Sequence, residues 1–427
     1  MGYPDKFLST ENVKKMADGE RVALKGWVYT VSSLGKVLFI RLRDHAGIIQ
    51  AVVKKDHLSD ERMEQLKDLG RETPIILKGV IRRDRRAPGG VEVLVEELNL
   101  VSLTTKDYPL GKKKVSPGVA VDLRHLYLRS QKMTAIMKVR SELLSGFREY
   151  LKSEGFYEFS CPTTITASVE GGATLFDLNY YGRKAYLTQS SQFYLEAGIF
   201  SLERVFTIQP SFRAERSKTP RHLTEYWHLE AEAAWIDNEG MMDLEERMLE
   251  RISNWILERV EKEVKMLNPN YEPLKRPFSR VSYSEAVGAI GREWGSDIGA
   301  DEEKEIMEVF GKVVFVTHFP KELKALYHKP DPKDERLVLC HDLLLWPIGE
   351  VIGGGQRSDD YEQLYKRIIS EGFDPKDYQW YLDLRRYGSV PHSGFGLGIE
   401  RFLAWMLKLP HIRYAIPFPR TTTRVYP

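Results

Sequence analysis

The sequence predicts a multidomain α/β protein, and three observations carry that prediction. The 427 residues exceed one typical domain and suggest two or three. Residues 21–102 hold five short runs rich in β-branched and aromatic side chains. Beyond a stretch of Pro, Gly and Lys, long helical patterns alternate with strands around a hairpin dense in charge, residues 204–235.

The elements follow in order. Strands are predicted at 22–29, 36–44 and 47–53, a helix near 59–69, and two more strands at 75–81 and 91–95. Five short strands with a helix between the third and fourth is the order of an OB-fold β-barrel, which often binds single strands by stacking bases on aromatics. Strand alternation alone favours Phe39 as barrel core. Residues 104–121, with Pro109, Gly111, three lysines, Pro117 and Gly118, read as a hinge or linker. The predicted domains are therefore 1–103 and 122–427.

In the second domain an amphipathic helix over 131–154 stops at Gly155, followed by a strand at 156–159 and Pro162. A polar loop, TTITASVEGGA, spans 163–173, and QSSQFYL spans 189–195. The hairpin opens with 204–208, passes through Arg213 and Glu215, and turns at the polar loop 216–222. On its return Tyr226, His228, Glu230 and Glu232 face one way, with Trp227, Leu229, Ala231 and Ala233 facing the other. Two carboxylates and an aromatic beside a loop of Arg, Lys, Arg and His suit a polyanion that carries a flat ring. The alternative is a half-exposed hairpin whose charges face water. A charged helix is predicted at 244–265, a strand at 313–316 and another at 341–346. Residues 277–333 read as part of the sheet plus an insertion, and 393–405 as strand, Gly turn and helix.

Composition narrows the class. Hydrophobic residues at 42% and charged residues at 29% describe a soluble globular chain. No apolar run is long enough to span a bilayer, and MGYPDKFLST lacks the layout of a signal peptide. The expectation is a cytoplasmic protein with no membrane partner. The net charge of +2 does not announce nucleic-acid binding, so RNA contacts would rest on local patches. Arg82-Arg83-Asp84-Arg85-Arg86 and Lys112-Lys113-Lys114 are the candidates, with solvated turns as the alternative. Cys161 and Cys340 make neither a disulfide framework nor a metal cluster, and read as free core thiols.

FRAE at 212–215, RHLTEYW at 221–227 and the Glu230/Glu232 pair closely resemble motif 2 of the class II aminoacyl-tRNA synthetases, in the aspartate/asparagine/lysine subgroup. GFGLGIER at 394–401 resembles motif 3, and the helix–strand–Pro unit of 131–162 resembles motif 1, the homodimer interface. The resemblance implies a class II synthetase catalytic domain, built on an antiparallel β-sheet flanked by helices, behind an OB-fold anticodon-binding domain. It implies ATP and Mg²⁺ as cofactors. Arg213 would grip the α-phosphate and the amino-acid carboxylate, and Arg221 and His222 the outer phosphates. Glu215 would lie on the adenine side, with Tyr226 beneath the base and Arg401 over it. Asp342 and Glu350 match the magnesium carboxylates, since Mg²⁺ prefers hard oxygen ligands shared with phosphates. Positioning and charge neutralisation by Arg213 and Arg401 would carry catalysis, because the attacking carboxylate is already a nucleophile.

Glu170 and Gln192 match residues that hold the α-amino group. Leu195 stands where aspartyl enzymes usually have Lys, and Glu230 where they usually have Asp. Glu230 would accept from a carboxamide NH₂ and repel a carboxylate, while Arg357 would donate to the carboxamide oxygen. The run 416–421 also resembles the asparaginyl subgroup. In the barrel, Phe39 and Gln50 match an aromatic and a Gln that take the central anticodon uridine. The implied activity is ATP-dependent activation of L-asparagine to an adenylate and its transfer to the 3′ end of tRNA-Asn. The alternatives are an aspartyl-tRNA synthetase or a synthetase-derived asparagine synthetase, although the latter relatives lack the barrel. A non-catalytic tRNA-binding protein on the same scaffold has no reason to keep Arg213, Arg401, Asp342 and Glu350.

Overall fold

Alternating apolar residues close five strands into a barrel: β1 (Arg21–Leu34), β2 (Val37–Arg43), β3 (Ile48–Lys54), β4 (Pro74–Arg83) and β5 (Val91–Leu100). The spatial order is β1-β2-β3-β5-β4, with only the β3–β5 pair parallel. The helix Asp60–Lys67 stands between β3 and β4, with the Ser59 side chain accepting from the Arg62 N–H at its start. Leu24, Leu38, Ile40, Leu42, Leu77 and Val93 are fully buried inside, each worth about 1.5–3 kcal/mol of transfer free energy. Along β2 burial alternates, so Leu38, Ile40 and Leu42 fill the core while Phe39 lies on the outer side, half-buried. The core position that alternation alone favoured for Phe39 is corrected by the register.

The computed structural model describes residues 6–55, 59–111, 115–169, 175–216, 219 and 221–427. The chain divides into two compact units between Ser116 and Pro117. The stretch read as a hinge ends in a helix, Pro117–Asp122, which belongs to the second unit. Proline suits a first helical turn, where its missing N–H would have no intrahelical partner.

Eight strands form the main sheet of the second unit. Their order is Ser279–Ser282, Val313–Thr317, Cys340–Leu345, Gly349–Gln356, His392–Gly398, Glu225–Ala234, Arg204–Phe212 and Tyr157–Glu158. The inner strands pair antiparallel, and the two edge strands run parallel to their neighbours. Helices Gln131–Ser153 and Asn238–Leu267 pack together, and the second also lies against three central strands. That helix starts six residues earlier than the charge pattern suggested, because Asp237 caps it by accepting from the Gly240 N–H at 2.8 Å. Alternation on Cys340–Leu345 sends fully buried His341 to Asn238 and Glu245 of this helix, at 2.8 Å each, and Asp342 to the opposite face.

Residues 277–333 resolve into two strands of the main sheet, the short strand Pro330–Asp331 of a separate pair, and the helices Tyr283–Ala289 and Ala300–Phe310, with one turn of 3-10 helix at Lys321–Leu323. Cys340 is buried and Cys161 only half-buried, and both are free. In the 82–86 turn Arg82 pairs with Glu92, Arg86 with Asp84, and Arg83 donates to the Met16 carbonyl at 2.6 Å. The turn largely neutralises itself, which favours the solvated-turn alternative. Lys112, Lys113 and Lys114 lie outside the described residues. Among the described residues no helix is long and apolar enough to cross a membrane.

Candidate active site

The hairpin pairs Phe212 with Glu225 and Thr207 with Glu230. This register buries Leu229, Ala231 and Ala233 on one face and turns Tyr226, His228, Glu230 and Glu232 to the other. That other face opens on a cavity of about 520 Å³, where Gln192, Arg213, Glu230, Asp342, Glu350 and Arg357 meet. A smaller cavity of about 70 Å³ shares Arg213 and Glu350 and adds Arg221, His222, Tyr226 and Arg401. Glu215 is exposed beside a shallow recess that Arg213 and His222 also line.

Positive charge dominates the smaller cavity. The Arg213 guanidinium lies 5.6 Å from the centre of the Tyr226 ring. Arg401 Nη1 donates to the Glu350 carbonyl at 2.8 Å, with a Glu350 carboxylate oxygen 3.4 Å away. Burial would raise the Glu350 carboxyl, but Arg401, Lys324 and Arg213 outweigh it and hold it below its ordinary value. His222 is also held below its ordinary value, by burial and by the cations Arg401, Arg221 and Arg213. An imidazole neutral near pH 7 can still donate one hydrogen bond to an anion.

Asp342 and Glu350 sit on paired strands. A Cβ built on Gly353 would lie 3.5 Å from both Asp342 Oδ1 and Glu350 Oε1, so both oxygens border one space that glycine leaves open. Lys324 Nζ lies 2.5 Å from the other Asp342 oxygen. Burial pushes the Asp342 carboxyl up, and the Lys324 ammonium opposes the push. Among the described residues no group of three or more His, Cys, Asp or Glu forms a metal cage. Two carboxylates that need phosphate oxygens to complete the shell fit Mg²⁺ better than a structural zinc.

In the lining of the larger cavity, Glu230 accepts from the Ser190 hydroxyl and, at 2.9 Å, from the Ser191 N–H. Arg357, 3% exposed, donates through Nε and Nη2 to Glu232, the shortest contact being 2.6 Å. Its Nη1 makes no hydrogen bond among the described residues and is the donor left for a ligand. Burial pushes the Glu232 carboxyl up, and Arg357 opposes that push. Gln192 Nε2 donates to Glu196 at 2.9 Å. Glu196 is acceptor-only, so this bond fixes which way the Gln192 amide points. Glu196 in turn is held by Tyr381, Arg385 and His392.

Leu195 is not at the cavity. It is fully buried one helical turn beyond Gln192, packed with Ile199, Val205 and Ala234. A role in contacting the amino acid is therefore corrected to a core role. Glu170 lies outside the described residues. Lys324, Tyr327, Ser190 and Ser191 escaped sequence analysis, although all but Ser191 line or border the larger cavity and Ser191 holds Glu230. The only signal was position: Lys324 precedes the strand of Asp342, and the serines precede Gln192.

On the barrel, Gln50 pairs with Arg41 and Val52 with Phe39, so Phe39 and Gln50 are diagonal neighbours on the outer face. Gln50 Nε2 donates to Glu92 at 2.8 Å. Phe39 is half-buried on this face, which is compatible with a stacking platform.

A model of class II tRNA synthetases (D, K and N) matches residues 116–422, and one of OB-fold nucleic acid binding domains matches residues 22–101. The asparagine–tRNA ligase of Pyrococcus horikoshii is 50% identical, with 98% of each chain covered, and that of Thermoplasma acidophilum is 45% identical. The crystal structure of the P. horikoshii asparaginyl-tRNA synthetase with asparaginyl-adenylate superposes with a TM-score of 0.95 at 48% identity, covering 99% of this chain and 100% of that one. An aspartyl-tRNA synthetase from Entamoeba histolytica superposes at 0.86 with 27% identity. With both units matched in sequence and in backbone, the chain belongs to the class II tRNA synthetases of the D, K and N group.

Proposed function

We propose that the chain is an asparagine–tRNA ligase, which activates L-asparagine with ATP and transfers it to tRNA-Asn. The observation that carries this reading is that Glu230 and Arg357 both line the larger cavity. A carboxylate held by two serines retains lone pairs for a carboxamide NH₂, and the guanidinium has a donor for its oxygen. An aspartate side chain would meet Glu230 as a like charge.

In the first step the substrate carboxylate forms a bond to the α-phosphorus, and the bond to pyrophosphate breaks. Arg213 joins the two cavities and is suited to hold carboxylate and α-phosphate together. Arg221 and His222 receive the outer phosphates, Tyr226 and Arg401 enclose the adenine with Glu215 beside it, and Gln192 turns its carbonyl to the α-ammonium. Asp342 and Glu350 would hold Mg²⁺, whose contribution is to neutralise phosphate charge as pyrophosphate departs. Phe39 and Gln50 take the anticodon, the unit over 131–162 forms a homodimer, and the cytoplasm is the expected location.

The test is amino-acid-dependent pyrophosphate exchange with Mg-ATP, comparing asparagine with aspartate. Exchange with asparagine alone is expected. Exchange with aspartate would move the assignment to an aspartyl-tRNA synthetase or an asparagine synthetase, and exchange with neither would refute an activating enzyme.

A further inference from the structure

Arg221 sits on the loop of the hairpin, yet its guanidinium rests in a cradle made by two distant segments. Nη1 donates to a carboxylate oxygen of Glu303, on the helix Ala300–Phe310, and to the Ile348 carbonyl at 2.7 Å. The Glu303 side chain is only 9% exposed and that of Arg221 is 20% exposed, so the pair is largely sheltered from water. Gly349 forms the floor. Its φ of +85° is a conformation other residues rarely adopt, and a Cβ there would lie 2.9 Å from Glu303 Cδ and closer still to the Arg221 guanidinium. The next residue is Glu350, which borders the candidate metal space. A turn glycine, the Ile348 carbonyl and a buried carboxylate thus converge on one nitrogen of one arginine. Such a cradle fixes where the guanidinium lies.

The geometry points to Glu303 as a positioning residue for nucleotide binding: it presents Arg221 to the outer phosphates of ATP. This rests on the assignment of Arg221 to those phosphates. One Nη1 is committed to Glu303 and Ile348, and guanidinium carries five N–H donors in a fixed plane, so orienting one edge orients the others. Arg221 also lines the smaller cavity beside Arg213, His222, Glu350 and Arg401, where a polyphosphate would meet it. The helix Ala300–Phe310 belongs to the segment that the motifs left without a role, and Glu303 supplies one. Adding phosphate next to Glu303 is tolerable because burial already pushes its carboxyl up and Arg221 is shared between the two anions.

The experiment is calorimetric titration of the full chain with Mg-ATP and separately with AMP, for the wild type, Glu303→Gln, Arg221→Ala and the double variant. Thermal unfolding of each variant confirms a folded protein. Glu303→Gln should weaken ATP by about tenfold, the effect of losing one charge-assisted hydrogen bond, and leave AMP within about twofold. In the Arg221→Ala background Glu303→Gln should have no further effect. Equal losses for ATP and AMP, unchanged ATP affinity or tighter ATP binding would each overturn the inference, the last because Glu303 would then be holding Arg221 away. Normal ATP affinity in Arg221→Ala would instead sink the phosphate assignment itself. Weakened ATP in Arg221→Ala with a normal Glu303→Gln would remove Glu303 alone.

Discussion

Gly394→Ala should damage the amino-acid end of the site without touching a ligand. Gly394 lies opposite Glu232 in the sheet, and the Glu232 carboxylate folds across the space where a side chain would be. A Cβ at 394 would lie 2.0 Å from Glu232 Oε1 and 2.1 Å from Cδ. The carboxylate would have to retreat by roughly 1.4 Å to reach ordinary contact. Its bond to Arg357 Nη2 is 2.6 Å long, and a shift of that size disturbs this short, aligned contact. Both partners are at least 97% buried, so no water compensates Arg357. Breaking a buried pair costs about 3–5 kcal/mol, and forcing a methyl into a packed site about 1–3 kcal/mol. These overlap, because moving the carboxylate relieves the clash, and a loss of about 3–5 kcal/mol is expected. That is a large part of the stability of an ordinary domain. Urea unfolding reads the loss, and pyrophosphate exchange should show KM for asparagine raised about tenfold or more with KM for ATP nearly unchanged. A variant within about 1 kcal/mol of wild type with a normal asparagine KM would refute the reasoning, since the glycine would then not be needed by the Glu232–Arg357 pair.

Three further outcomes are expected. Phe39→Ala should lower tRNA charging efficiency by about 5–150-fold, the range for one stacked base, while sparing pyrophosphate exchange and stability; unchanged charging would leave Phe39 without a role in tRNA binding. Leu195→Lys should unfold the second unit or cost more than about 3 kcal/mol, because the ammonium would be buried among Ile199, Val205 and Ala234. A stable Leu195→Lys variant that activates aspartate would return residue 195 to the specificity pocket. Below pH 6.5, ATP binding should take up a proton at His222: its pKa is depressed in the free protein, and phosphates nearby would raise it. Titration in buffers of different ionisation enthalpy measures the uptake, with His222→Asn as control. The same depression makes stability fall as pH drops below 6.5, where the unfolded chain binds the proton more readily.

Much of this protein was legible in its residues because local chemistry repeats at short range. Period-two alternation by itself identified the barrel strands and the hairpin, and placed Tyr226, His228, Glu230 and Glu232 on one face. The motif residues Arg213, Arg221, Arg401, Asp342 and Glu350 were found because each lies in a distinctive short context, and the fold brings them to adjoining cavities. Long-range pairing was not legible. Glu232 looked equivalent to Glu230 in the strand, yet one is committed to Arg357, 125 residues away, and the other faces the ligand space held by two serines. Leu195 looked like a specificity residue because sequence shows what occupies a position, not which way a helix turns it. Alternation alone favoured Phe39 as core while the motif resemblance placed it at the anticodon, and the register of β2 turns it to the outer side. Lys324 and Glu303 carry no local signature at all, since a lysine or glutamate in an insertion is ordinary until the sheet brings it to Asp342 or Arg221. Periodicity and motif are properties of neighbouring residues, whereas the partner of a buried charge is decided only when the whole chain has packed.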